Sequence, residues 1–459
     1  MVHHHSFGMK HDGIARVYMA ALACSFAVLS GCGGNNGAQP TTGPLPNLPP
    51  AKAGKYFTHI VILVQENRTY DNLFATYPGG DGTTEGRAHD GSIIPLAKAN
   101  LENHFAPNNG YPYWLRDWNN GQMNGFDQVD IGPVSGRFVY QYVDPAQIAP
   151  YWSLAKQYVL SDHMFQTQGT GSFTAHQDLI AGGAMLNDTQ SFIDFPSSDA
   201  VWGCDATPGS KTTLITAAND YLYLQGPFPC LTHQTLRDTL DPAGVSWRYY
   251  APEVGKSFGG DLWNAFDAVK AVRYGPEWNT NVTWPETNFF KDVSAGNLPS
   301  VSWVIPEFQN SDHPGAQSDT GPSWVAQVVN AIGNSPDWKT TAIVVTWDDW
   351  GGWYDHVRPP GHQSYGGLGF RLPMLVISPF ARKGYVTHQQ YEFGTIVKFV
   401  EDNWGLPRLG NTDVRAASMI NDVFDFNQPA RPFQTIQAQY SKEFFLHQKP
   451  GTRTIETDD

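Results

Sequence analysis

Asp348 and Asp349 are adjacent carboxylates at the end of a β-prone run (Thr341, Ile343, Val344, Val345, Thr346), and Gly351-Gly352 breaks the chain just after them. A short apolar run closed by a turn predicts a buried strand of a parallel sheet, and in such sheets ligands bind at the carboxyl ends of the strands. Two neighbouring carboxylates there repel each other and require a cation, a proton or several donors. A divalent metal ion answers that requirement; the alternative is an exposed acidic turn. A second apolar strand, His59–Gln65, runs just as directly into Glu66 and Asn67. Two strands distant in sequence would then deliver oxygen ligands to one edge of a sheet, which is how an α/β fold assembles a site.

Other reactive side chains stand at element boundaries. In Gly169-Thr170-Gly171-Ser172 the glycines lead into a helix that begins at, or is capped by, Ser172, with His176 one turn further on. A serine there is either an N-cap or a nucleophile whose developing charge faces the helix amides. His313 follows the strand Val301–Pro306 in the polar loop Asn310–Pro314, Asp355 and His356 follow the Gly351-Gly352 break, and His104 lies in an aromatic, loop-rich stretch between Gly79 and Gly132. Long irregular insertions of that kind shape substrate pockets.

The elements that must position these residues alternate. A short helix is expected at about Tyr70–Ala75, a helix at Ala146–Tyr158 whose first turn is disturbed by Pro150, and a strand at Val245–Tyr250. An amphipathic helix at Trp324–Ile332, a strand at Pro373–Ile377 and a helix at Gly394–Asn403 follow. The sequence predicts an α/β domain over about 55–445, with insertions near 79–132 and 187–235 and a polar tail over 446–459. Hydrophobic residues make up 41% of the chain, enough for a large core, and the net charge of −14 argues against nucleic-acid binding through a general basic surface.

Lys10 and Arg16 precede the apolar run Val17–Leu29, which is too short to span a bilayer and suits a signal peptide. It ends in Leu29-Ser30-Gly31-Cys32, a lipobox-like sequence that makes Cys32 the expected lipidated residue and 1–32 the signal. Residues 33–54 are rich in Gly, Pro, Asn and Thr and are expected to form a flexible tether. The expected location is therefore the bacterial cell envelope, with attachment to a membrane. Cys204 and Cys230 remain as one pair in an oxidising compartment, and a disulfide between them would stabilise the stapled segment by roughly 3 kcal/mol.

Six motifs in order (HIVILVQENRTYDNLF at 59–74, GSFTAHQ at 171–177, GVSWRYY at 244–250, SDHP at 311–314, DDWGGWYDHV at 348–357 and SPF at 378–380) span about residues 56–407. Together they resemble the bacterial phosphoesterase family of acid phosphatases and phosphatidylcholine-type phospholipases C. That resemblance implies an alkaline-phosphatase-like core: a three-layer α/β/α sandwich around a mostly parallel sheet. It also implies one divalent metal ion held by Glu66, Asn67, Ser172, Asp348 and Asp349, with Ser172 as nucleophile and Thr170 as the runner-up. Hard oxygen donors of this kind suit a divalent cation. His104 and His313 are implied to contact the phosphoryl group or to protonate the leaving oxygen, His176 to sit beside the nucleophile, and His356 and Asp355 to hold the acidic pair from behind. Gly-Ser-Phe at the nucleophile is closer to the acid-phosphatase branch, whose substrates are phosphomonoesters; a phospholipase C is the enzymatic alternative, and a non-catalytic binding lipoprotein the alternative of a different class.

Overall fold

The structure, a computed structural model, describes residues 45–129, 134–198, 201–361 and 367–451. The signal segment, Cys32 and most of the tether and the polar tail lie outside the described residues. No helix among the described residues is long and apolar enough to cross a membrane.

An eight-stranded mixed sheet forms the centre. Its strands in chain order are β1 (His59–Gln65), β2 (Val159–Phe165), β3 (Trp247–Tyr250), β4 (Val282–Thr283), β5 (Val301–Val304), β6 (Thr341–Trp347), β7 (Arg371–Ile377) and β8 (Tyr385–Thr387). They are arranged β4-β3-β5-β1-β6-β7-β2-β8. All pairings are parallel except those of β7, which runs antiparallel to both β6 and β2. Every residue of β1, β6 and β7 is buried. Strands buried along both faces need helices on both sides, which is why their sequences read as continuous apolar runs. Two helix pairs supply that cover: Ala149–Gln157 packs with Gly321–Gly333, and Ser172–Ala181 with Phe393–Trp404. The result is the α/β/α sandwich that the resemblance implies.

Several boundaries follow local chemistry. Pro150 lies in the first turn of the Ala149–Gln157 helix, where a missing amide hydrogen costs nothing, so the expected start at Ala146 moves to Ala149. The helix expected at Trp324–Ile332 extends to Gly321–Gly333 and is buried on most sides, because the C-terminal segment crosses it. Asn330 exchanges side-chain hydrogen bonds with the backbone of Ile436 at 2.9 and 2.8 Å. Beyond it Phe445, on the helix Lys442–His447, is buried against Trp324.

The insertion near 187–235 is not merely a loop. Its segments Gln190–Ile193, Thr213–Thr216 and Tyr221–Leu222, with Met185–Asn187, form a four-stranded antiparallel sheet. Cys204 and Cys230 are disulfide-bonded across this cap, as expected.

Candidate active site

The register of β1 and β6 sets the site. Gln65 is opposite Trp347 in a parallel ladder, so Glu66-Asn67 and Asp348-Asp349 leave the sheet side by side at its carboxyl edge. The ladder continues one bond further, with the Asp348 amide donating to the Gln65 carbonyl at 2.9 Å. Asn67 then turns into the left-handed region at φ 57°, a conformation asparagine tolerates, and its amide donates to Asp348 Oδ1 at 2.9 Å. Gly351 and Gly352 also have positive φ, and a Cβ on Gly351 would lie 2.3 Å from the Asn67 carbonyl oxygen. The glycine pair is therefore what lets the acidic turn close over the Glu66-Asn67 turn.

Glu66, Asp348 and Asp349 are completely buried. Carboxylates removed from water in this way must be met by donors or cations. Asp349 is met by donors: Asn109 Nδ2 lies 2.9 Å from both of its oxygens, the Gly351 amide donates to Oδ1 at 2.7 Å, and Ser172 Oγ donates to Oδ2 at 3.0 Å. Glu66 accepts from His176 Nε2 at 2.9 Å, and the same nitrogen is 3.8 Å from Asp348 Oδ2. Burial holds the His176 imidazole down to about 4 despite the pull of Asp348, so the ring there is neutral. Ligand atoms of Glu66, His176 and Asp348 all lie within 4.8 Å of one another. Asp348 Oδ2 and Asn67 Oδ1 are buried and have no hydrogen-bond partner among the described residues. Oxygen atoms left without donors beside three buried carboxylates fit a hard divalent cation.

Ser172 is the first residue of the Ser172–Ala181 helix, and Gly171 occupies the N-cap position without a side-chain cap. A Cβ at Gly171 would lie 2.0 Å from the Phe195 ring, so only glycine lets the loop that leads into Ser172 pass beneath the cap. Thr170 is also buried, but its hydroxyl accepts the Asp194 amide at 2.6 Å, whereas the Ser172 hydroxyl faces Asp349. Of the two hydroxyls, that of Ser172 points to the acidic group.

The histidines divide. His313 lines a cavity of about 630 Å³ together with Ser172. Its Nδ1 bonds the Pro314 carbonyl, which can only accept, so Nδ1 carries a proton and Nε2 is the ring nitrogen left for the cavity. His104 is exposed and is not among the residues lining that cavity. His356 and Asp355 lie in a different network, the glycine turn having carried the chain away from the acidic pair. His356 Nδ1 is 2.7 Å from Asp71 Oδ2, and Arg371 Nε donates to Asp355 Oδ1 at 2.9 Å and its terminal nitrogen to Asp71 at 3.3 Å. Asp71, Asp355 and His356 have the composition of a metal group, but the Arg371 guanidinium already supplies the positive charge there.

Two participants were missed by the sequence reading. Asn109 belongs to an irregular stretch in which an asparagine normally signals a turn. Asp194 lies in the insertion and lines the cavity with Phe195, Trp202 and Tyr221 of the cap. Only their proximity in the fold marks either one.

Residues 57–407 match the model of the Phosphoesterase family, and the chain belongs to that family. Among curated relatives, it is 24% identical over 426 residues to the non-hemolytic phospholipase C of Pseudomonas aeruginosa, covering 81% of this chain and 57% of that protein. It is 25% identical over 437 residues to phospholipase C B of Mycobacterium tuberculosis, covering 82% of this chain and 78% of that one. The chain thus spans a little over half the length of the Pseudomonas relative. A solved Vibrio parahaemolyticus protein of the alkaline phosphatase superfamily aligns over 81% of this chain and 73% of its own, with 12% identity and a TM-score of 0.36.

Proposed function

We propose that this chain is a metal-dependent phosphoric-ester hydrolase that cleaves phosphomonoesters through a phosphoserine at Ser172, in the manner of an acid phosphatase. The observation that carries the reading is the Ser172 Oγ–Asp349 contact at 3.0 Å, set beside the buried Asp348 Oδ2 and Asn67 Oδ1, which have no donor among the described residues. Glu66, Asn67, Asp348, Asp349 and Ser172 would hold one divalent ion, with His176 orienting Glu66 through its 2.9 Å contact. When bound, the ion would lower the serine pKa and offset charge on the phosphoryl oxygens.

The chain's own groups do the rest. Asp349 is within reach to take the Ser172 proton as Oγ attacks phosphorus. The phosphoryl oxygens then face the amides at the start of the Ser172–Ala181 helix. His313, which lines the same cavity as Ser172, is placed to give a proton to the leaving oxygen and then to take one from the water that opens the phosphoserine. Asp355 and His356, bonded to Arg371 and Asp71 and not to the acidic pair, take no direct part in these steps.

A phospholipase C is the second reading. The 630 Å³ cavity, walled by aromatic residues, favours it because a phosphomonoester needs less space, and the curated relatives carry that name. Purified protein assayed on p-nitrophenyl phosphate and on phosphatidylcholine separates the two; turnover of the lipid alone overturns the first. Export and acylation at Cys32 complete the proposal: Cys32→Ala should move the protein from the membrane to the soluble fraction, and unchanged fractionation argues against the anchor.

A further inference from the structure

Asp194 takes no part in the chemistry above, yet each of its polar groups reaches a segment that does. It is buried and sits in the left-handed region at φ 56°, which is costly for a residue with a Cβ. Its amide donates to Thr170 Oγ1 at 2.6 Å, and its carbonyl accepts from Thr174 Oγ1 at 3.1 Å. The residues two before and two after Ser172 are therefore both tied to Asp194.

The carboxylate reaches in the other direction. It accepts the Tyr111 amide at 2.7 Å, the Tyr221 hydroxyl at 2.8 Å and the Gly171 amide. Gly110 and Gly171 are the N-cap residues of the helices Tyr111–Trp118 and Ser172–Ala181, and neither supplies a side-chain cap. One carboxylate thus serves open amides at two helix N-termini, where the helix dipoles favour its negative charge. Burial nevertheless pushes the carboxyl up to about 7, so placing it there is unfavourable in itself.

The two segments have one thing in common. Asn109, next to the first helix, and Ser172, at the start of the second, both donate to Asp349. We propose that Asp194 is a positioning residue for the phosphoryl-transfer reaction: it fixes the spacing of Asn109 and Ser172 about Asp349. Through Tyr221 it also ties the disulfide-bonded cap to the nucleophile loop. The proposal rests on Ser172 being the nucleophile.

Asp194→Asn keeps the shape of the side chain and one accepting oxygen, but removes the second acceptor that the converging donors require. On p-nitrophenyl phosphate its kcat should fall about 10- to 100-fold, the effect of a sub-ångström misplacement of a nucleophile, with KM changed by less than about 3-fold. Metal content should match the wild type, and the melting temperature should fall by no more than the loss of one buried hydrogen bond accounts for. A kcat within about 2-fold of wild type overturns the proposal, as does a fall in kcat accompanied by equal losses of melting temperature and bound metal, since that pattern is general destabilisation. If Asp194→Asn does not fold, Thr174→Val provides the test. It removes only the donor to the Asp194 carbonyl, and should lower kcat about 3-fold with no greater fall in melting temperature than the loss of one hydrogen bond accounts for; wild-type kcat in that variant overturns the proposal. A wild-type protein without metal-dependent phosphoesterase activity would instead refute the functional reading on which this rests.

Discussion

Ser172 Oγ and Asp349 Oδ2 stand 3.0 Å apart although 177 residues separate them in the chain. The first comes from a helix start reached through the loop after β2, the second from the turn after β6. β2 and β6 run in the same direction, with antiparallel β7 between them. Both therefore end at the same edge of the sheet, where β1 delivers Glu66 and Asn67. The contact also distinguishes two hydroxyls two residues apart, because that of Thr170 is occupied by the Asp194 amide.

This leads to opposite outcomes for two substitutions. Ser172→Ala should abolish labelling of the protein by a phosphoryl donor and lower kcat by roughly four orders of magnitude or more. Thr170→Val should keep the label and cost about 1 kcal/mol of stability, the net worth of one hydrogen bond, read from the urea midpoint. Labelling that persists in Ser172→Ala and disappears in Thr170→Val would assign the nucleophile to Thr170.

The Asn109 side-chain amide reaches both carboxylate oxygens of Asp349. Hydrogen bonds to a charged group contribute about 1.5–3 kcal/mol. If that stabilisation holds the carboxylate for its task, Asn109→Ala should lower kcat about 10- to 100-fold. Steady-state kinetics on p-nitrophenyl phosphate measures it, and an unchanged kcat would remove Asn109 from the site.

Metal binding should be visible without turnover. Asp348 Oδ2 and Asn67 Oδ1 lack donors among the described residues, so a cation that binds the folded form and not the unfolded one raises stability. At a concentration about 100 times Kd the gain is about 2.7 kcal/mol. Chelation should abolish activity and lower the melting temperature, and one divalent ion should restore both. In Asp348→Asn the ion should no longer shift the melting temperature. Full activity after exhaustive chelation would exclude the metal.

Much of this was readable in the sequence because the central strands are buried on both faces and their apolar runs end at reactive residues. β1 and β6 stand out for that reason. β2 does not: Ser161, Asp162 and His163 interrupt its apolar run, and Asp162 is tolerated in the interior because His388 Nδ1 and the Asp81 amide bond it at 2.8 Å. Such partners are remote in sequence. The same holds for Asp355 and His356, whose grouping depends on Asp71 and Arg371 rather than on the nearby acidic pair. Asn109 and Asp194 look like ordinary turn residues until the fold brings both toward Ser172. The antiparallel direction of β7 leaves no mark on its composition.

The cap allows a last prediction that separates fold from chemistry. The Cys204–Cys230 bridge joins residues 26 apart, and closing a loop of that size stabilises a domain by roughly 3 kcal/mol. Trp202, two residues before Cys204, lines the cavity with Phe195 and Tyr221. Glu66, Asp348 and Asp349, by contrast, are carried by the central sheet. Replacing both cysteines by serine should therefore lower the urea-derived stability by about 2–5 kcal/mol and raise KM for bulky esters more than for p-nitrophenyl phosphate. Metal content and kcat on the small substrate should hold, because the sheet edge does not depend on the bridge. A variant with normal KM for every ester would show that the cap wall does not bind the alcohol part of the substrate.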